Sequence, residues 1–290
     1  VIGENVGRIV LVIGLWLLMA RNASFLPLMT VVVLNSLAYT AVLWVWAKKE
    51  TSVSFGFDWN IWKSIMTKMW PIAISIIFNV VYLKGDIIIL SLFKTQTEVG
   101  IYGAAYRVID ILAQTAMMLM GVMLPLLAFA WSRKLKDGFK RYYQQAFDAM
   151  MMLALPMMVG TIVLADKIMH IVGGEEFIIS GKPLQILAIA VFGVYLGAVF
   201  GHAAVAINKQ KQTIWIYVSN AVITLVGYLI FIPMYGMYGA AWMTVFSELY
   251  AGLLLWATIK HYSQEKLQLK TFVKIIFASA TMGGVLLLVS

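Results

Sequence analysis

The chain contains no cysteine, which excludes disulfides, thiolate nucleophiles and cysteine-ligated metal centres. Its three histidines, His170, His202 and His261, are scattered without ligand spacing, so no metal site is expected. Charge is scarce too: only 12% of residues are charged, against roughly 25% in soluble domains. With 62% of residues hydrophobic, too few polar side chains remain to make a water-soluble surface. The net charge of +9 does not point to nucleic acid, because the cations lie in short segments between apolar runs and form no patch. The chain reads as an all-α polytopic membrane protein.

A spanning helix needs about 20 mostly apolar residues. About nine transmembrane helices are expected, over 2–20, 26–47, 69–93, 100–128, 146–165, 184–207, 213–233, 239–259 and 272–289. The connections are short, and none is long enough to fold into a catalytic domain. Alternate loops differ in basic residues. One set carries fifteen, among them Lys48, Lys68, Arg133, Arg141, Lys209, Lys260 and Lys274; the other carries Arg21, Lys94, Lys167 and Lys182. The richer set is cytoplasmic by the positive-inside rule. No signal-peptide pattern opens the chain. It starts at Val1 and ends at Ser290 inside apolar stretches, so both ends read as cut and a fragment of a longer protein is expected.

Two local patterns stand out. The connection 48–68 holds Phe55, Phe57, Trp59 and Trp62 among polar residues, which suits an interfacial helix leading into Pro71 and a hinge between two groups of helices. The hexapeptide Gly100-Ile-Tyr-Gly-Ala-Ala105 recurs as Gly236-Met-Tyr-Gly-Ala-Ala241. Each copy is expected to end an outer loop, open a span and let a neighbouring backbone approach.

Five charges fall inside the spans: Lys84, Asp86, Arg107, Asp110 and Glu248. An unpaired charge at a helix centre costs about 3 kcal/mol or more, so each should face protein, water or another charge. Arg107 and Asp110 are three apart and should share a helix face, extended by Gly103, Gln114 and Gly121. This stripe lines an aqueous cavity or a buried helix seam. Lys84 and Asp86 should point in nearly opposite directions, with Asn79, Tyr82 and Asp86 on one polar face and Lys84 needing a partner across the bundle. Glu248 has Thr244 and Gly252 a turn either side and is either an ion site or a packing residue. Gly193, Gly197 and Gly201 form a close-packing face, with His202 beside it packed or interfacial.

The stretch Asp86-Ile-Ile-Ile-Leu-Ser-Leu-Phe93, then Val99-Gly-Ile-Tyr102 and Ala105-Tyr-Arg107, carries a resemblance. So do Pro233-Met-Tyr-Gly236, Gly239-Ala-Ala241 and Ser247-Glu248. Over about residues 1–260 the chain resembles the polysaccharide flippases of the multidrug/oligosaccharidyl-lipid/polysaccharide exporter superfamily. That resemblance implies part of a 12–14 helix, two-lobe transporter in the cytoplasmic membrane. It makes 1–47 the last two helices of the first lobe and 48–68 the cytoplasmic interlobe linker. It makes 69–259 the complete six-helix second lobe, and 260–290 the start of an additional C-terminal helix pair.

The activity implied is transfer of a polyprenyl-pyrophosphate-linked oligosaccharide by alternating access. Arg107, Lys84, Gln114 and Asn79 are then the substrate-contact candidates, and Asp86, Asp110 and Glu248 tune those cations or hold a coupling proton or sodium ion. No other cofactor is implied; the partners are membrane lipid, the lipid-linked oligosaccharide and glycan assembly machinery. The rivals are a multidrug or organic-cation exporter and a lipid-linked peptidoglycan-precursor flippase. A membrane enzyme would need catalytic residues clustered on an outer loop. The one outer connection of any length, 166–183, places Asp166, His170, Glu175 and Glu176 in no convincing arrangement.

Overall fold

The computed structural model describes residues 11–14, 16, 25–50 and 57–289, and every regular element among them is helical. Contacts divide the chain into two units, Val1–Ile65 and Met66–Ser290. In the first, a Cβ placed on Gly14 would lie 2.8 Å from Val31 Cγ1, so the helical residues at 11–14 pack directly on α1 (Phe25–Glu50). Most of the expected 2–20 span lies outside the described residues.

Asp58 starts α2 (Trp59–Phe93) by accepting from Asn60 N at 2.8 Å and Ile61 N at 3.3 Å through its carboxylate. Trp59 and Trp62 thus belong to the first turn of a helix that runs on to Phe93, not to a separate interfacial helix, and position 71 lies well inside it. Residues 51–56 of that connection lie outside the described residues. A two-residue turn joins α2 to α3 (Gln96–Ser132), whose cap Thr95 accepts from Glu98 N at 3.3 Å.

The next elements are α4 (Lys136–Gly173), a 3-10 turn (Glu175–Ser180), α5 (Gly181–Ala206), α6 (Gln210–Ser263) and α7 (Lys270–Val289). α5 is the centre of the unit, packed on α3, α4 and α6, while α7 rests on α4. The α3–α4 and α5–α6 turns end their helices alike. Lys134 and Asn208 take left-handed φ of 57° and 58°, and the next amide reaches back to Ala130 O at 2.9 Å or Ala204 O at 2.8 Å.

Six helices among the described residues are long and apolar enough to cross a membrane. One of them, α6, has 54 residues. As one rod it would reach about 80 Å, against a hydrocarbon core of about 30 Å. It does not run straight. Gly236 breaks it with φ 58° and ψ −137°. Across the break Ser219 meets Tyr250, Gly227 meets Met243, Tyr228 meets Thr244 and Gly239 meets Phe231. Each pair is centred within about a residue of 235, the signature of an antiparallel hairpin. The expected spans 213–233 and 239–259 are its two arms.

The turn is clasped from α3 and the residue before its cap. Glu98 accepts from Met237 N at 2.7 Å, and Lys94 Nζ donates to Pro233 O at 3.1 Å. The repeated hexapeptide therefore serves two different purposes. In the second copy Gly236 makes the reversal and Gly239 admits the Phe231 backbone. In the first copy a Cβ on Gly100 or Gly103 would meet nothing within 4 Å, so these glycines permit no close approach within this unit.

Candidate functional site

Polar side chains converge in the second unit between α2, α3 and the two arms of α6. Asp86 is fully buried. It accepts from Tyr102 Oη at 2.6 Å and, more weakly, from Thr244 Oγ1 at 3.5 Å. Thr244 also lies 3.1 Å from Tyr228 Oη, so a carboxylate and three hydroxyls tie three helices together. A tyrosine in an apolar span needs a partner for its hydroxyl, and this was the one sequence signal that could have singled out Tyr102 and Tyr228.

One turn beyond Thr244 stands Glu248, 5% exposed, whose Oε1 has no hydrogen-bond partner among the described residues. Its backbone is pressed against α5: a Cβ on Gly193 would lie 2.7 Å from the Glu248 carbonyl carbon. Across the hairpin, buried Asn220 accepts from Thr224 Oγ1 at 3.3 Å, while its Nδ2 is also unpartnered among the described residues. Buried polar atoms left unpaired cost about 1–3 kcal/mol each, so groups of this kind need a functional account.

A cavity of about 320 Å³ opens beside Glu248 between α3, α5 and α6. Asp110, Tyr106, Tyr217 and His202 line it as well. His202 Nδ1 lies 2.8 Å from Ala198 O, and since a carbonyl only accepts, the ring carries its proton there. Sequence reasoning had set His202 aside as packed or interfacial; the structure puts it on the cavity wall. Among the described residues, no three His, Asp or Glu side chains group as metal ligands would.

Of the two mid-membrane cations, Lys84 has the partner across the bundle that the sequence led one to expect, whereas Arg107 departs from the face expected for it. Asp110 takes its cation from α2: Lys84 Nζ lies 3.1 Å from both its carboxylate oxygens and 4.4 Å from the centre of the Tyr106 ring. Arg107 is not brought to Asp110's cavity. It is exposed, with Ile111, Gln114 and Met118, on the side of α3 that the other described helices of the second unit leave open. A Cβ on Gly103 or Gly121 of that side would touch nothing. Residues three apart differ by about 60° around a helix, and the cavity edge falls between Arg107 and Asp110. Lys84 and Asp86 do diverge, one half-exposed and the other buried. The side chains of Asn79 and Tyr82 lie outside the described residues.

The sequence profile of the family described as Polysaccharide biosynthesis protein matches residues 6–181. The probable low-salt glycan biosynthesis flippase Agl15 of Haloferax volcanii is 27% identical over 214 residues, 74% of this chain and 45% of that protein. Among solved structures, the lipid II flippase MurJ in an inward closed conformation superposes with a TM-score of 0.76 at 17% identity. That match covers 98% of this chain and 59% of MurJ. A MOP superfamily transporter from Pyrococcus furiosus, described by a binding pocket of reverse polarity, superposes at 0.58 and 17% identity, covering 74% of this chain and 50% of its own. At such identities the structural likeness is one of fold. The chain spans about half the length of the relatives it matches.

Proposed function

Because the chain belongs to the polysaccharide biosynthesis protein family, we propose that its protein is a multi-pass transporter, not an enzyme, moving a lipid-linked saccharide across the cytoplasmic membrane by alternating access. The observation that carries this reading is the open side of α3, where Arg107 and Gln114 stand exposed on a membrane-spanning helix. A guanidinium facing lipid is costly, so this side meets water or another part of the protein. A wet face with a fixed guanidinium suits a diphosphate, whose oxygens it can engage through two parallel hydrogen bonds. The saccharide then travels in the wet path while the lipid tail stays in the bilayer.

The remaining residues take roles around that face. Lys84, held by Asp110, is a second cation at its edge, available to phosphate when the pair opens. Asn79 stays with them as a substrate-contact candidate. Asp86 and Glu248 are buried carboxylates among hydroxyls, suited to a coupling proton or sodium ion, and Glu248 Oε1 has an unused lone pair to offer it. In this reading 1–47 closes a first lobe, 48–68 links the lobes, 69–259 forms the second, and 260–290 begins a further helix pair. The resemblance to a glycan-biosynthesis flippase supports an oligosaccharide cargo. The fold likeness to a lipid II flippase favours a lipid-linked peptidoglycan precursor as the second reading, by analogy of fold.

The test uses the full-length gene product in two hosts, one lacking its polysaccharide flippase and one depleted of its lipid II flippase, each supplied with matching precursor. Rescue of surface glycan in the first host, lost with inserted Arg107→Ala, supports oligosaccharide transfer through Arg107. Rescue only in the second moves the cargo to the peptidoglycan precursor. Rescue in neither, with insertion verified, overturns the lipid-linked saccharide reading.

A further inference from the structure

A second recess lies outside the polar site, in the half of the second unit nearest the lysine-rich loops that the positive-inside rule makes cytoplasmic. Phe147 of α4, Phe192 and Phe200 of α5, Leu253 and Trp256 of α6, and Phe272 of α7 enclose a groove of about 630 Å³. That falls within the roughly 300–1,000 Å³ of ligand sites. Its floor is a run of rings: Phe200 lies 6.2 Å from Phe147, Phe147 5.8 Å from Phe272, and Phe272 6.2 Å from Phe192.

The mouth is charged. Lys260 and Lys266 border it, with Glu265 between them in sequence, leaving two cations against one carboxylate. Lys260 Nζ stands 5.0 Å from the centre of the Trp256 ring, held at the rim by that aromatic face. The segment carrying Lys266 is anchored two residues further on, at Gln268. Gln144 of α4 donates to Gln268 O at 3.0 Å and accepts from Gln268 N at 2.8 Å, a two-bond staple that holds 264–269 over the groove.

An apolar slot whose rim carries Lys260, held against Trp256, and Lys266, on the side that the basic loops mark as cytoplasmic, matches one chemistry, a fatty chain carrying a phosphate. Basic pockets between membrane helices on the cytoplasmic side bind anionic head groups in this way. We propose that the groove holds an acyl chain of an anionic phospholipid of the inner leaflet, with the lipid phosphate between Lys260 and Lys266. The site is separate from the polar core between α2, α3 and α6, so it stands or falls apart from the transported cargo.

The test reads Trp256, which lies in the groove wall. The full-length protein is reconstituted in dioleoylphosphatidylcholine vesicles containing either brominated phosphatidylglycerol or brominated phosphatidylcholine in trace. The fluorescence of Trp256 is taken as the difference between the parent and Trp256→Phe. Quenching is expected at roughly tenfold lower fractions of the brominated phosphatidylglycerol, a preference abolished in Lys260→Gln/Lys266→Gln of unchanged helicity. Equal quenching by both lipids in the parent would make the groove ordinary lipid-facing surface. No quenching by either would mean that protein covers it. Either result overturns the proposal, as does a preference that survives the double substitution.

Discussion

Lys84 of α2 grips Asp110 of α3 through both carboxylate oxygens, 3.1 Å each, across 26 residues of sequence. The two side chains remain 46% and 48% exposed. If that exposed side is the wet face proposed above, water screens the pair and its worth to stability is small, about 0.2–1 kcal/mol. We predict that Lys84→Ala, Asp110→Ala and the double variant differ little in thermal unfolding in detergent, with a coupling below about 1 kcal/mol. A coupling above about 2 kcal/mol would mark the pair as dry and structural, and would remove Lys84 from the substrate path.

The opposite holds for Tyr102 and Asp86, which meet at 2.6 Å with no solvent. Removing the Tyr102 hydroxyl strips a buried acceptor of its closest donor, at a cost of about 1–3 kcal/mol. Tyr102→Phe should lower the unfolding temperature measurably. In an Asp86→Asn background the same change should cost less, because the two groups act as one unit. Equal costs in both backgrounds would disprove the dependence.

Two glycines four residues apart on α5 should respond unequally. A Cβ on Gly193 would fall 2.7 Å from the Glu248 backbone, whereas one on Gly197 would meet nothing and project toward the cavity. Gly193→Ala must push α5 and α6 apart, at about 1–3 kcal/mol. Gly197→Ala should keep stability and alter transport instead. Similar losses of stability from both would refute the close approach at Gly193.

Much of the fold could be read from the sequence because membrane helices announce themselves by apolar length. The helices after residue 59 fall where such runs lie, and the α6 reversal sits at the glycine that repeated Gly100. The left-handed turn at Lys134 was not legible, since a lysine there gives no glycine or asparagine signal; the backbone bonds behind it make the turn. The site was half legible. Rarity of charge picked out Lys84, Asp86, Arg107, Asp110 and Glu248, but a helix face defines a direction and not a partner. Hence Arg107 was placed on one face with the carboxylate of its own helix, and Lys84 was expected to need a partner across the bundle without that partner, Asp110 of the following helix, being identified. Tyr228 went unremarked, Tyr102 counted only as part of a turn pattern and His202 only as packed or interfacial, because each is common enough in apolar spans to pass as packing.

The reversal of α6 at a single residue also bears on how the protein is made. With no loop at Gly236, the two arms follow one another without a spacer, and entering the bilayer as a paired hairpin would spare each arm a lone passage of its polar groups through lipid. Asn220 and Thr224 on one arm, and Thr244 and Glu248 on the other, would each burden a lone helix at insertion. Arriving together, they would face each other or the interior from the outset, which makes the hairpin the natural unit of insertion.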